Sequence, residues 1–236
     1  MADERLIAAL DVPTRADAEQ LVTRLGDSVS CYKVGMELFY ALGGDIVTWL
    51  KEREKKVFLD LKLHDIPNTV KSSMKVLASV GADMVNVHAA GGIRMMKAAV
   101  EGLEDGSTGA ARPEIIAVTQ LTSTDQETMN SELKINGELR DVVLAYARNA
   151  QEAGLDGVVC SAWESEEIHA GTSDSFITVT PGIRLLGDAK GDQSRVATPA
   201  RAKEMGSDYL VIGRSITKAD DPVKAYRICM EEINND

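Results

Sequence analysis

Short aliphatic segments recur eight times along the chain, and most are separated by a stretch with helical periodicity. The predicted strands are Leu6–Val12, Cys31–Met36, Lys56–Leu63, Met84–Ala89, Ile115–Leu121, Gly157–Ser161, Ile177–Ile183 and Leu210–Ile216. Predicted helices between them include Ala16–Leu25, Val70–Val80 and Leu139–Ala153. Because a strand followed by a helix returns as a parallel neighbour, eight such units predict a parallel sheet closed into a (β/α)8 barrel, the TIM-barrel class of α/β fold.

An open, doubly wound sheet is the main alternative fold, because it uses the same alternation of strands and helices. However, no GxGxxG or GxxxxGK[ST] motif follows any predicted strand. The length of 236 residues suits one barrel, and no low-complexity linker divides the chain. The sequence therefore predicts a single barrel domain over residues 1–236.

The formal net charge of −11 predicts a negatively charged surface, which is unsuited to binding nucleic acid or acidic membranes. The first residues, MADERLIAAL, lack the basic and apolar regions of a signal peptide. No later run reaches the roughly 18 apolar residues of a membrane-spanning helix. We therefore expect a cytoplasmic protein, in which an anionic substrate would need a locally positive site.

The third predicted strand, KVFLDLKLHD, carries charges where a barrel strand is usually apolar. Strand alternation separates two faces, one with Val57, Leu59, Leu61 and Leu63 and the other with Phe58, Asp60 and Lys62. If the aliphatic face packs on the helices, Asp60 and Lys62 point into the barrel near the strand's C-terminal end, where barrel active sites form. A core ion pair is the alternative, but desolvation makes such a pair a poor stabiliser.

Charged residues also end the two preceding strands. Asp11 lies at the end of the first, and Lys33 shares a face of the second with Cys31 and Gly35. A lone strand lysine usually extends its ammonium into solvent, but charges at three adjacent strand ends favour a common site. Asp65 follows the third strand directly, where a role in the turn or helix entry is as plausible as a role in the site.

The last two predicted strands favour a phosphate site. Arg184 ends the motif VTPGIR, and Gly213 and Arg214 lie within VIGRSI. Loops after the seventh and eighth strands of this fold commonly bind phosphate, through backbone N–H groups and a cation. The intervening segment LLGDAKGDQSR suits a closing lid almost as well as a solvated loop, and its position favours the lid. The long connection 122–138 is expected near the barrel mouth.

The histidines and cysteines of the sequence predict neither a metal site nor a redox site. His64 and His88 fall near strand ends but lack a third ligand at metal-binding spacing, so we expect no metal site. The three cysteines, Cys31, Cys160 and Cys229, are far apart and form no CxxC motif. Buried thiols are the favoured interpretation over a redox or metal-binding role.

Seven motifs in chain order carry a family resemblance: ALDV, YKVGMELF, FLDLKLHDIPNTV, VNVHAAGG, VTQLTS, TPGIR and VIGRSIT. Together they resemble the bacterial orotidine 5′-phosphate decarboxylases over essentially the whole chain. The resemblance implies decarboxylation of orotidine 5′-monophosphate to UMP and CO2, the last step of de novo pyrimidine synthesis. It further implies a homodimer that uses neither cofactor nor metal.

The resemblance also implies roles for individual residues. Lys33, Asp60, Lys62 and Asp65 would form an alternating charge array at the reacting carbon, with Lys62 as the proton donor. Substrate contacts are implied for Asp11 and Lys33 at the ribose, Thr122 at the pyrimidine, and Arg184, Gln193, Gly213 and Arg214 at the phosphate. Asp65, Ile66 and Thr69 would enter the neighbouring subunit's site.

Two other functions remain open on the sequence alone. A Mg²⁺-dependent sugar-phosphate decarboxylase of the same barrel superfamily looks similar around Asp60, Lys62 and Asp65, but those relatives carry a carboxylate where this chain has Lys33. A non-catalytic protein that binds a phosphorylated metabolite would show binding without turnover. Burying four charges has no evident use in such a protein.

Overall fold

Eight parallel strands close into a barrel in sequence order, with the first strand pairing with the last. The computed structural model describes residues 4–107, 109, 111–187 and 195–234. The closed ring confirms the predicted (β/α)8 fold. The strands are β1 (Leu6–Ala9), β2 (Cys31–Gly35), β3 (Lys56–Leu63), β4 (Met84–His88), β5 (Glu114–Val118), β6 (Gly157–Val159), β7 (Ile177–Thr180) and β8 (Tyr209–Ile212).

Helices surround the barrel and connect its strands. They are α1 (Arg15–Leu25), α2 (Met36–Leu42), α3 (Asp45–Lys51), α4 (Pro67–Val80), α5 (Gly92–Gly106), α6 (Leu139–Glu152), α7 (Ser165–Gly171), α8 (Pro199–Glu204), α9 (Arg214–Thr217) and α10 (Pro222–Asn234). The long connection before α6 contains a π-helical turn, Thr128–Glu132. None of the described helices is long and apolar enough to cross a membrane.

Most predicted strands extended too far, particularly at their C-terminal ends. Thr119–Leu121, for example, follow β5 without belonging to it, although they continue the motif that favoured a strand. The predicted strand Leu210–Ile216 was wrong at its C-terminal end, where the chain is helical, because α9 begins at Arg214. Side chains remain buried after the last hydrogen bond between strands, as Ser215 and Ile216 show. Burial and hydrophobicity therefore do not mark the residue at which strand pairing ends. The three predicted helices differ from the observed ones by one to three residues at an end.

Side-chain alternation along the strands divides the core into two layers. Tyr32 and Val34 pack outward beneath the helices, whereas Cys31 points into the barrel. The inner layer contains Ile7, Ala9, Cys31, Phe58, Met84, Ile116, Val179 and Val211. Phe58 lies inside as its alternation predicted, so the inner layer forms an apolar floor below the polar C-terminal strand ends.

The pairing of β3 with β4 contains a bulge. Leu59 pairs with Val85 and Leu63 pairs with Val87, so three residues of β3 lie opposite one residue of β4. Within the bulge, Lys62 adopts a left-handed backbone conformation with φ of 52°. Such a conformation is uncommon for a residue with a Cβ atom and persists where the surrounding contacts enforce it.

The cysteines are buried thiols, as the sequence predicted. Cys31, Cys160 and Cys229 are all free and buried. Burial raises the pKa of Cys31 and of Cys160 to about 12 in each case. These side chains therefore behave as small apolar groups of the core.

Candidate active site

A cavity of about 540 Å³ opens at the C-terminal ends of the strands. Its floor is apolar and includes Ala9, Phe58, Val118, Val159, Val179 and Val211. Its polar lining includes Asp11, Lys33, Asp60, Lys62, Gln120, Thr122, Arg184, Arg214 and Lys218, together with Gly213. The structure therefore brings together most of the residues that the sequence selected, including members of the first, second, third and last two strand ends.

Charges of alternating sign meet at the centre of this cavity. The Lys33 ammonium lies 3.0 Å from Asp11 Oδ1 and 3.4 Å from Asp60 Oδ2. The Lys62 ammonium donates to the other oxygen of Asp60, Oδ1, at 2.7 Å. Asp60 is 8% exposed, so two cations share one carboxylate that is largely withdrawn from water.

The environment keeps both central groups charged. Burial opposes ionisation of Asp60, but Lys33 and Lys62 outweigh it and hold its pKa below the ordinary value. Burial likewise opposes the charge on Lys33, and the carboxylates of Asp60 and Asp11 raise its pKa above the usual value. Lys33 and Asp60 are therefore held in their charged forms at neutral pH.

Asn86 lies beneath this array and was not selected from the sequence. Its Oδ1 accepts the backbone N–H of Lys62 at 2.7 Å, and its Nδ2 donates to Asp60 Oδ1 at 2.7 Å. The side chain is buried, and it shares the inward face of β4 with Met84 and His88. The available signal was a polar residue between two valines in the middle of β4, at an inward position of the strand.

The far side of the cavity is cationic. Arg184 is largely buried and donates from Nη1 to the carbonyl of Ile183 at 2.8 Å. Arg214 is the first residue of α9 and follows Gly213. A Cβ atom at Gly213 would lie 3.1 Å from Asp11 Oδ2, so a larger residue here would press on the Asp11 side chain.

Arg195, also missed from the sequence, fixes one end of the predicted lid. Its guanidinium contacts the Glu164 carboxylate and donates to the carbonyl oxygens of Gln120 and Leu121, the latter at 3.0 Å. Gln193 and most of LLGDAKGDQSR lie outside the described residues. Arg195, the last residue of LLGDAKGDQSR, therefore binds the cavity wall beside Thr122.

Three of the selected residues do not line the cavity of their own chain. Asp65, Ile66 and Thr69 are all exposed, and Ile66 has 66% of its surface accessible. Asp65 Oδ1 accepts the N–H of Ile66 at 2.6 Å, immediately before α4. This single chain therefore shows Asp65 in the helix-entry role that its sequence context allowed.

The two histidines near the cavity lie side by side, with ring centroids 5.7 Å apart. Burial, followed by the charges of His64 and Lys62, lowers the pKa of His88. Within the part of the chain that the structure describes, no group of three or more His, Cys, Asp or Glu side chains is arranged to hold a metal ion. At the strand ends, the ammonium of Lys33 separates the carboxylates of Asp11 and Asp60.

Comparison with known sequences identifies close relatives. The family described as "Orotidine 5′-phosphate decarboxylase / HUMPS family" matches residues 4–229. An orotidine 5′-phosphate decarboxylase of Lactococcus lactis subsp. cremoris (strain SK11) is 55% identical over 99% of this chain and 100% of its own length. One of Bacillus cereus (strain AH187) is 55% identical over 97% of both chains.

Solved structures agree with these sequence matches. The orotidine 5′-phosphate decarboxylase of Lactobacillus acidophilus has a TM-score of 0.88 and 41% identity, covering 99% of this chain and all of the other. An uncharacterized conserved protein from Geobacillus kaustophilus has a TM-score of 0.86 and 50% identity, covering 97% of this chain and all of the other. Both the barrel and its sequence are therefore shared with these proteins.

Proposed function

This chain belongs to the orotidine 5′-phosphate decarboxylase / HUMPS family, and on that premise we propose that it converts orotidine 5′-monophosphate to UMP and CO2. The observation that carries the proposal is the largely buried Asp60 carboxylate shared by Lys33 and Lys62, in the polar lining of a cavity with a cationic far side. A phosphorylated carboxylate matches those two features, because one anionic end meets the arginines and the other meets the lysines.

The proposed reaction replaces the carboxylate on C6 of the pyrimidine with hydrogen. The bond between C6 and the carboxylate carbon breaks, CO2 leaves, and the electron pair stays on C6. Lys62 then transfers a proton from its ammonium to C6, which gives UMP, and it regains a proton from solvent. An ammonium suits this role because its charge stabilises the developing carbanion before its proton is transferred.

One contact cannot account for the whole rate enhancement. Two unit charges about 4 Å apart interact by roughly 4 kcal/mol at an effective dielectric constant near 20. Catalysis of a very slow reaction requires about 10–20 kcal/mol of transition-state stabilisation. The remainder would come from holding the charges in place, from excluding water, and from binding energy at the phosphate. Asp60 beside the substrate carboxylate would add ground-state repulsion.

Substrate contacts away from C6 follow from the positions around the cavity. Arg184, Arg214 and the backbone at Gly213 would bind the phosphate, and Gln193 would join them from the segment before Arg195. Asp11 and Lys33 would contact the ribose hydroxyls, and Thr122 would contact the pyrimidine. The fixed end of that segment at Arg195 supports closure over the phosphate, because only its remaining part would need to move.

The donor set favours a cofactor-free reaction over the Mg²⁺-dependent sugar-phosphate chemistry of the same superfamily. Asp11 and Asp60 are the carboxylates that could share a divalent cation here, and the Lys33 ammonium lies within 3.4 Å of both. That ammonium already supplies the positive charge that a metal ion would bring. A bound Mg²⁺ would be repelled by Lys33.

A homodimer would complete the site. Asp65, Ile66 and Thr69 are exposed on their own chain, next to the strand that carries Asp60 and Lys62. The exposed side chain of Ile66 suits a subunit interface, where its apolar surface would be covered. We place Asp65 of each subunit beside the Lys62 of its partner.

The direct test adds purified protein to orotidine 5′-monophosphate and follows loss of the orotate chromophore, with and without EDTA. We expect full turnover in both conditions. Binding of substrate without loss of the chromophore at high protein concentration would favour a non-catalytic binding protein. Activity abolished by EDTA and restored by Mg²⁺ would favour the metal-dependent reaction.

A further inference from the structure

We propose that Asn86 is a positioning residue for the decarboxylation, because its side-chain amide fixes the backbone of Lys62 and the carboxylate of Asp60 relative to each other. Asn86 does not line the cavity, so it would act through these two residues and not through contact with substrate. The inference rests on the proposed function. Asn86 adds a residue on β4 to a group of charges that otherwise comes from β2, from β3 and from Asp11 after β1.

The geometry places Asn86 at the gap in the strand ladder. Between the Leu59–Val85 and Leu63–Val87 pairs, β3 has three residues where β4 has only Asn86. The N–H of Lys62 donates to the Asn86 side chain. The amide thus takes the place of a ladder acceptor at the residue with the left-handed backbone.

An amide is suited to both contacts at once. The Lys62 N–H needs an acceptor, and the Asp60 carboxylate needs a donor. Asparagine supplies a carbonyl oxygen and an NH2 group on one short side chain. The reversed orientation would point the NH2 group at a backbone N–H and the oxygen at a carboxylate, so the local network determines the orientation. Leucine offers neither contact, and ionised aspartate offers only the acceptor.

These contacts bear directly on catalysis. Asp60 Oδ1 receives both the Lys62 ammonium and the Asn86 amide, at 2.7 Å each. Without Asn86, the part-buried N–H of Lys62 would lose its acceptor and the bulge could relax. The proton donor would then move relative to the site of the reacting carbon, and a displacement of about 1 Å can lower a rate by roughly 100-fold.

Asn86→Asp and Asn86→Leu separate positioning from packing. A protonated aspartic acid at position 86 has an O–H to donate to Asp60 and a carbonyl to accept the Lys62 N–H, so it reproduces both contacts. The ionised form loses the donor and repels Asp60. Two carboxyl groups at hydrogen-bond distance titrate as a coupled pair. The other charged or titratable groups facing the pair are Lys33, Lys62, His64, His88 and, behind Lys33, Asp11.

We expect a pH-dependent deficit in Asn86→Asp. Relative to the wild type, its kcat should fall by about 100-fold at high pH and recover to within about fivefold as the pair gains a proton at low pH. Asn86→Leu should show a low kcat at every pH. KM should change by less than about threefold in both variants, because the phosphate contacts lie across the cavity.

Thr178→Val is the matched control. Thr178 is fully buried, and its hydroxyl donates to Asp208 Oδ2 and accepts the N–H of Asp208, so it also bridges a carboxylate and a backbone N–H. It lies near the start of β7, away from the catalytic end of the barrel. Thr178→Val should lower the melting temperature and leave the pH profile of kcat unchanged.

The measurements are pH profiles of kcat and KM, with thermal melts of every variant. A wild-type protein without activity would overturn the proposed function itself. An active wild type with Asn86→Asp within about threefold of it at all pH values would overturn only the role of Asn86. A loss of kcat in Asn86→Asp that does not vary with pH, or that Thr178→Val shares, would show that Asn86 only packs and does not position the catalytic groups. If Asn86→Leu fails to fold, the near-isosteric Asn86→Asp decides the question.

Discussion

The ammonium of Lys62 lies 2.7 Å from Oδ1 of Asp60, although only one residue separates them along β3. In a regular strand, residues two apart lie about 6–7 Å from each other along one face. The left-handed backbone at Lys62 changes the direction of its side chain within that strand. The Lys62 ammonium is thereby held against the Asp60 carboxylate, with 24% of the Lys62 side chain still exposed.

Replacing Lys62 should separate charge from proton delivery. Lys62→Ala removes both and should lower kcat by at least about 1000-fold. Lys62→Arg keeps a positive charge but offers a guanidinium that does not release its proton in proteins, so it should also be nearly inactive. Single-turnover loss of the orotate chromophore, with circular dichroism melts as a check of folding, measures this. Substantial activity in either variant would remove Lys62 as the proton donor.

The phosphate site can be tested by comparing two substrates. Arg214→Ala should lower kcat/KM for orotidine 5′-monophosphate by about 100-fold, because it removes a cation from the dianion. Its effect on the nucleoside orotidine should be less than about threefold. Arg53→Ala, near the opposite end of the barrel before β3, is a matched control and should affect neither. An equal loss on both substrates would mean that Arg214 does not bind phosphate.

Mixing two inactive variants tests whether Asp65 serves the partner's site. Equal amounts of Lys62→Ala and Asp65→Asn, allowed to exchange subunits, should recover about a quarter of the wild-type sites. Half of the dimers would be mixed, and each would pair an intact Lys62 with an intact Asp65 from the other subunit. Each variant alone is the control. If Asp65 acted within its own chain, no mixed dimer would have a complete site and activity would not return.

His88 should make folding stability depend on pH. Its pKa lies below the ordinary value of 6.5, chiefly through burial, so the unfolded chain binds the proton more readily than the folded one. Its contribution is therefore complete above pH 6.5 and is lost as pH falls toward the lowered pKa. Urea midpoints between about pH 8 and 5 should fall less steeply in His88→Asn than in the wild type. His64, Lys62 and Asp60 remain in both proteins, and identical slopes would contradict the assignment.

Much of the site could be predicted because strand geometry is periodic. Alternation, with the aliphatic face of β3 assigned to the helices, predicted that Phe58, Asp60 and Lys62 point into the barrel. The position of the two charges near the C-terminal end of the strand indicated the cavity end. The helix starts at Pro199 and Pro222 are also encoded locally, because a residue that can cap a helix precedes each proline. The side chain of Thr198 accepts the N–H of Arg201, and that of Asp221 accepts the N–H of Lys224.

Other features depend on contacts between distant segments and so could not be predicted. The bulge at Lys62 exists only in relation to β4, and nothing in KVFLDLKLHD distinguishes it from a regular strand. Asn86 and Arg195 matter through partners far away in sequence. The proposed role of Asp65 in a partner's site depends on a second chain, which the folding pattern of one chain does not specify.

Because all three cysteines are buried, the native protein should react little with thiol-specific labels. Burial raises the pKa of Cys31 and Cys160 far above neutral pH, so both side chains stay as thiols there, and thiolate is the form that maleimides attack. A single cysteine introduced at an exposed position such as Leu186, which is 90% accessible, would therefore carry a fluorophore almost alone. Substrate binding near the proposed phosphate site could then be followed as an optical signal, without first removing any native thiol.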